Sequence, residues 1–134
     1  MHVPVQVDYG VRALIDLAEN SLEGEIQTAD ITKRQQIPEQ FLAQVLHNLN
    51  KYGVTTSRRG PHGGHRLAIK PSNITMGYVM RTLGNNSHTV SCLENQSKCH
   101  KSPKCTQKNI WSQVEKAVNK ILDSTTIADL INQN

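Results

Sequence analysis

The sequence predicts a mainly α-helical chain with one small β-hairpin, laid out as a winged helix-turn-helix body followed by a long C-terminal dimerisation helix. Three observations carry this reading. Residues 53–69 hold two short β-prone runs, Val54-Thr55-Thr56 and Leu67-Ala68-Ile69, around the turn-forming Gly60-Pro61-His62-Gly63-Gly64. Just before them, two short helical patterns meet at the break Gln36-Ile37-Pro38. From residue 40 to residue 93 there is no Asp or Glu, while Lys51, Arg58, Arg59, Arg66, Lys70 and Arg81 all carry positive charge. The whole chain of 134 residues has a net charge of only +4, so the charge is segregated rather than high. A basic central third of this kind is built to meet a polyanion, with double-stranded DNA the leading partner. An anionic membrane fits less well, because no amphipathic basic helix accompanies the charge.

Taken in order, residues 6–20 place Val11, Leu14, Ile15 and Ala18 on one helical face, with Pro4 upstream where a helix can begin. Asp8 falls in the first turn, where the helix dipole favours a carboxylate. Thr28 is the expected N-cap of a helix over 29–35. Pro38 is expected at the first position of a helix running to about residue 52, whose apolar stripe is Phe41, Leu42, Val45, Leu46 and Leu49. Its other face carries Gln40, Ala43, Gln44, His47, Asn48 and Lys51. Amide side chains can bond adenine edges bidentately, and Lys51 can reach a phosphate. The hairpin that follows presents Arg58, Arg59, Arg66, His62 and His65 on a narrow, glycine-rich tip that a minor groove or a phosphate ridge would accept. A helix over 74–83 is expected to turn Val79, Met80 and Leu83 inward, and residues 84–91 read as a polar loop. Residues 109–123 align Ile110, Val114, Ala117, Val118 and Ile121, an apolar face that needs a partner and points to a two-fold homodimer. Ser124-Thr125-Thr126 then caps a short terminal helix around 128–131.

This pattern divides the chain into a DNA-binding body over 1–83, a cysteine loop over 84–106 and a dimerising segment over 107–134. Cys92, Cys99 and Cys105 lie within fourteen residues, near Lys98, Lys101 and Lys104, which help stabilise thiolates. An odd, clustered set argues against a disulfide framework and for metal or redox chemistry. A flexible loop of three thiolates can wrap a metal centre. With His88 or His100 it would also satisfy a Cys₃His zinc site, and three unrelated free thiols remain the plainest reading. No run approaches the length of a membrane span and the N-terminal residues lack a signal pattern, so the chain is expected to be cytoplasmic. No catalytic constellation appears, and enzyme activity is not expected.

The stretches Asp8-Tyr9-Gly10-Val11-Arg12-Ala13, Ala29-Asp30-Ile31, residues 38–49 and Arg59-Gly60-Pro61 with Gly63-Gly64 closely resemble the bacterial winged-helix transcription regulators that include IscR and NsrR. The Arg-Gly-Pro-x-Gly-Gly wing is the most specific part. The resemblance implies that the second helix of the motif enters the major groove through its 40–44 face and that Arg59 reaches the minor groove. Some members carry a glutamate where this chain has Ala43, which sets the inherited operator sequence aside, and His65 stands where an aromatic residue is usual. The resemblance also implies an iron–sulfur cluster (2Fe–2S or 4Fe–4S) held by Cys92, Cys99 and Cys105. Members of the IscR type have a histidine where this chain has Lys108, which cannot ligate while protonated. Members of the NsrR type use an aspartate that Asp8 matches, donated by the partner subunit, with His100 in reserve here. The resemblance therefore implies a DNA-binding regulator, usually a repressor, whose operator affinity follows a bound cluster. A zinc- or thiol-based redox switch, an iron–sulfur electron carrier and a protein-binding scaffold are the rivals.

Overall fold

The computed structural model describes residues 2–84 and 106–133. The cysteine loop therefore lies outside the described residues, and with it Cys92, Cys99, Cys105, His88 and His100. Helix α1 (Val5–Glu19) is followed by a 3₁₀ turn (Ser21–Glu23), α2 (Thr28–Gln35) and α3 (Glu39–Lys51). Strands β1 (Thr55–Arg58) and β2 (Gly64–Leu67) form one antiparallel hairpin. A second 3₁₀ turn (Pro71–Asn73) leads into α4 (Met76–Leu83), and α5 (Lys108–Ser124) and α6 (Ile127–Asn132) close the chain. The mainly helical fold with a single hairpin is the one the sequence predicts.

The helix starts follow backbone needs. Pro4 is extended, and its carbonyl accepts from the amides of Val7 and Asp8 at 3.0 and 3.2 Å. Asp8 sits in the first turn of α1 as expected. Thr28 does not cap α2. Gln27 takes that place, and its carbonyl accepts from Asp30 and Ile31. Pro38 likewise stands one position earlier than predicted, as the N-cap of α3, where its missing N–H costs nothing.

The core is made by Leu14 and Leu17 of α1, Ile31 of α2, Leu42, Val45, Leu46 and Leu49 of α3, Val79 and Leu83 of α4, and Ile127 of α6. Val11, Ile15 and Ala18 only flank it, because α1 is covered on more than one side and its most buried line runs through Val7, Gly10, Leu14 and Leu17. At Gly10 a methyl group would stand 2.2 Å from Leu83 Cδ1, so the missing side chain sets how closely α1 and α4 approach. Phe41 departs from prediction. It is 46% exposed and lies against Tyr9 with ring centroids 6.3 Å apart, because its position on α3 points past the edge of α1 rather than into the core.

Two features of the helical part were not predicted. Asp16 is 1% exposed, and its carboxylate accepts from Arg34 Nη2 at 2.8 Å, Arg34 Nε at 2.9 Å and Gln35 Nε2 at 3.1 Å. The C-terminal segment also returns to the body. Met76 donates to the Thr125 carbonyl and Ile127 to the Ile74 carbonyl, at 2.8 and 2.9 Å. Thr126 and Asp129 form a reciprocal capping box at the start of α6, as the run of hydroxyl residues suggested.

The hairpin ladder runs from Thr55↔Leu67 to Arg58↔Gly64, nearer the tip than the apolar runs indicated. The base is continued by Ala68, which donates to the Val54 carbonyl at 2.9 Å. The buried Thr55 hydroxyl donates to the Asn50 side chain, tying the first strand to the end of α3. Replacing Asp16 with alanine is expected to lower stability by about 1–3 kcal/mol, since Arg34 and Gln35 lose a buried acceptor. Removing the exposed Asp8 carboxylate should cost at most about 1 kcal/mol. Urea unfolding of the two variants side by side checks this ranking.

Candidate nucleic-acid interface

Helix α3 buries Leu42, Val45, Leu46 and Leu49 and leaves Gln40, Ala43, Gln44, His47 and Lys51 exposed. At 100° per residue, Gln40, Gln44, His47 and Lys51 lie on one line opposite the core, with Ala43 to one side of it. The line spans most of a helix about 20 Å long, and a helix about 10–12 Å across fits a major groove about 12 Å wide. The Lys51 ammonium lies 6.0 Å from the Tyr52 ring centroid, which leaves its charge at the C-terminal end of this line.

The turn into α3 is built by Gln36, the one non-glycine residue with positive φ among the described residues, at φ 55° and ψ 44°. The residue before it is held at two points. The Gln35 side chain bonds Asp16, and the Gln35 carbonyl accepts from Arg12 Nη1 at 3.2 Å. Sequence reasoning missed this role for Arg12.

The wing leaves α3 directly. Gly53 donates to the Asn50 carbonyl and Val54 to the Leu49 carbonyl, both at 3.0 Å, so the hairpin base is welded to the last turn of the helix. Arg58, Arg59, His62 and Arg66 are all exposed on it. At the tip, Gly63 donates to the Gly60 carbonyl at 3.0 Å, with Gly60 at φ 108°. A side chain at Gly63 would collide with the Arg58 carbonyl, so the tip closes only with glycine there. Along the free edge of β2, Ile26 and His65 exchange both backbone hydrogen bonds, at 2.8 and 2.7 Å. Gly64, at φ 152°, lets that pair form, since a side chain would stand 2.5 Å from the Ile26 carbonyl oxygen. His65 points inward, half-buried, and its Nδ1 is buried without a hydrogen-bond partner among the described residues. Burial pushes the pKa of His65 below its ordinary 6.5.

Of the four expected metal ligands, Asp8 alone falls among the described residues. Its carboxylate is 48% exposed, and both oxygens accept from Arg12, itself 39% exposed. That hydrogen bonding raises the Arg12 pKa, as Asp16 raises that of Arg34. Arg12 also lies 5.4 Å from the centroid of the Tyr9 ring, which packs on Phe41 of α3. Asp8 is therefore both a first-turn carboxylate and an accessible one. A carboxylate and three thiolates would be a donor set of the kind an iron–sulfur cluster takes, and the arginine on Asp8 is itself partly exposed. The Asp8–Arg12–Asp16 spacing of four residues was the available sign that this helix edge is an ionic seam.

Comparison with known proteins bears on the whole chain. The model of the Rrf2 family, described as iron-dependent transcriptional regulator, matches residues 4–133. The rrf2 protein of Nitratidesulfovibrio vulgaris is 34% identical over 131 residues, covering 98% of this chain and 87% of that protein. The solved structure of T. potens IscR is 31% identical, with a TM-score of 0.79 over 99% of this chain and 88% of that one. The structure of CymR, the global cysteine regulator of B. subtilis, is 29% identical, with a TM-score of 0.81 over 100% of this chain and 98% of that one.

The lowered pKa of His65 fixes a direction for pH. The unfolded chain takes up the proton first, so stability should be full above about 6.5, fall as pH drops below that value and level off below the folded pKa. A His65→Phe variant should lose this slope. Urea midpoints between pH 5 and 8 read it directly, because the other described histidines, His2, His47 and His62, are exposed.

Proposed function

The chain belongs to the Rrf2 family of transcriptional regulators, and from that premise we propose that it binds a two-fold DNA operator as a homodimer, acting as a repressor under control of an iron–sulfur cluster. The observation that carries the DNA half is the exposed line of α3 beside a wing bearing three arginines, in a stretch without a single carboxylate. In this reading Gln40 and Gln44 read base edges and Ala43 leaves room for a methyl group. His47, Lys51, Arg58, His62 and Arg66 would contact the backbone, and Arg59 would enter the minor groove. The exposed Ile110, Trp111, Val114 and Ile121 of α5 support pairing of two copies through that helix. The division into a reading body over 1–83, a cluster loop over 84–106 and a dimerising segment over 107–134 belongs to the same proposal.

The family's description as iron-dependent and the three clustered cysteines support a cluster on Cys92, Cys99 and Cys105, with Asp8 of the partner subunit as fourth ligand. When bound, such a cluster would supply sensitivity to iron supply and to oxidation. The chain's own part is ionic. Arg12 grips Asp8 with one side of its guanidinium and the Gln35 carbonyl, at the turn into α3, with the other. If Asp8 turns outward to a ligand, Arg12 loses its carboxylate and its hold on that turn changes. A coupling of about 1 kcal/mol through this contact, the most an exposed ion pair supplies, would shift operator affinity roughly fivefold.

A zinc- or thiol-based switch is the second reading, favoured by the likeness to the cysteine regulator CymR. Anaerobic purification with a visible spectrum, iron and acid-labile sulfide separates them. Stoichiometric iron and sulfide support the cluster, while colourless protein with zinc, or none after reconstitution, supports the switch. Asp8→Ala should alter the visible absorption without a large loss of thermal stability; an unchanged spectrum would remove Asp8 from the ligand set.

On DNA, Gln44→Ala should weaken binding to a duplex selected from a random library by about 1–3 kcal/mol, and binding to unrelated DNA much less. Lys51→Ala should weaken both alike and reduce the salt slope by about 2, one phosphate contact per subunit. Fluorescence anisotropy at several salt concentrations measures both.

A further inference from the structure

One wing arginine differs from the others. Among the described residues Arg58 and Arg59 face no carboxylate, whereas Arg66 Nη1 lies 3.8 Å from Glu25 Oε1, the guanidinium 62% exposed and the carboxylate 20%. The pairing is fixed by the backbone. Ile26 and His65 form an isolated hydrogen-bonded antiparallel bridge, which brings the neighbouring residues Glu25 and Arg66 beside each other. Gly64 is what allows the loop between α1 and α2 to come this near the wing. Negative charge continues toward the tip, where Glu23 and Asp30 line one open pocket with His62 and Gly63.

We propose that Glu25 is an internal competitor for the DNA backbone: it occupies Arg66 in the free protein and lowers the affinity of the wing for any duplex, so that a phosphate must displace it. The geometry suits displacement. A contact of 3.8 Å to a largely exposed guanidinium is weak, while a phosphate offers the bidentate acceptor that guanidinium matches best. Glu25, more deeply set, stays behind as a fixed charge. Because phosphate contacts carry no sequence information, this competitor lowers background binding to random DNA as much as binding to the operator, and sets the salt range in which the regulator works. The inference rests on the DNA-binding reading above.

The test is a double-mutant cycle on the full-length dimer with two probes, a duplex selected from a random library and an unrelated duplex of the same length. Glu25→Gln should tighten binding to both by roughly two- to fivefold per subunit, the range of an exposed pair. It should also steepen the plot of log affinity against log salt by nearly 2, one further phosphate contact per subunit. Arg66→Gln should weaken binding to both, and Glu25→Gln placed on that background should lose most of its gain. Glu25→Ala serves as a second variant, with melting temperatures confirming that each protein is folded. An unchanged affinity and slope in both Glu25 variants overturns the proposal. So does an equal gain with and without Arg66, which would mean that Glu25 repels DNA directly. So does an Arg66→Gln protein that binds as well as wild type. Failure of the wild-type protein to bind either duplex would instead remove the DNA-binding reading itself.

Discussion

A buried carboxylate, Asp16, holds the helix-turn-helix to the rest of the body. Burying a charge is costly unless it is paired and hydrogen-bonded, and Asp16 meets that condition with three donors from the last two residues of α2. The consequence is directional. An apolar contact tolerates sliding, but a carboxylate accepting two bonds from one guanidinium and a third from an amide fixes rotation as well as distance. Helix α2 is therefore seated on α1 at its C-terminal end, where the chain must reverse. Gln36 adopts a left-handed conformation there that an ordinary residue takes only when its surroundings require it. Arg12 completes the clamp from one turn earlier on α1. The exit angle of α3, and so the aim of its exposed amides, is thus set by polar contacts on an edge of α1.

The wing depends on a different constraint, the absence of side chains. Glycine at 63 and 64 removes atoms that would collide with the Arg58 and Ile26 carbonyls, and each removal brings two backbones together. The result is a slender tip and a hairpin edge braced by the loop between α1 and α2, its arginines exposed and its one inward ring, His65, lodged between loop and strand. Such bracing matters for a charged finger. A flexible one would lose conformational entropy on every binding event. The same close approach brings the acidic loop beside the basic wing, so the geometry that stiffens the hairpin also tempers its charge.

How much of this was legible from sequence follows the range of the interactions. The buried set of α3 was readable because one helix face meets one core and period 3.6 reports it. Phe41 was not, since periodicity gives the direction of a residue but not the width of the neighbour that covers it. The Thr126–Asp129 cap was readable because it is local. Asp16 gives no local signal of burial; its partners lie 18 and 19 residues away, and only the tertiary arrangement brings them in. Thr28 was a reasonable cap on composition, but Gln27 was already extended and its carbonyl served the first turn. The hairpin was placed correctly while its ladder was set too near the base. Side-chain propensity marked the apolar ends, and the glycine contacts that extend pairing toward the tip leave no propensity signal. Glu25 beside Arg66 depends on a single bridge between two segments that look unrelated in sequence.

The arrangement of the C-terminal helices bears on how a signal could reach α3. Helix α5 contributes no apolar residue to the core, yet its end is anchored. Asp123 pairs with Arg81 at 2.9 Å, and Thr125 and Ile127 bond the backbone at the start of α4. Ile127 is wholly buried beside Ile74. Helix α4 in turn touches α1 where Gly10 has no side chain to separate them. Displacement of α5 by a second copy would therefore be felt first by α4 and then by α1. A change at Asp8 acts on α1 directly, through Arg12. Both routes meet on the one helix whose polar edge fixes the turn into α3, and a closely packed interior transmits such shifts rather than absorbing them. In the proposed dimer, pairing through α5 and a ligand on Asp8 would therefore not be separate controls. Both would act on the same clamp, the seating of α2 and α3 on α1.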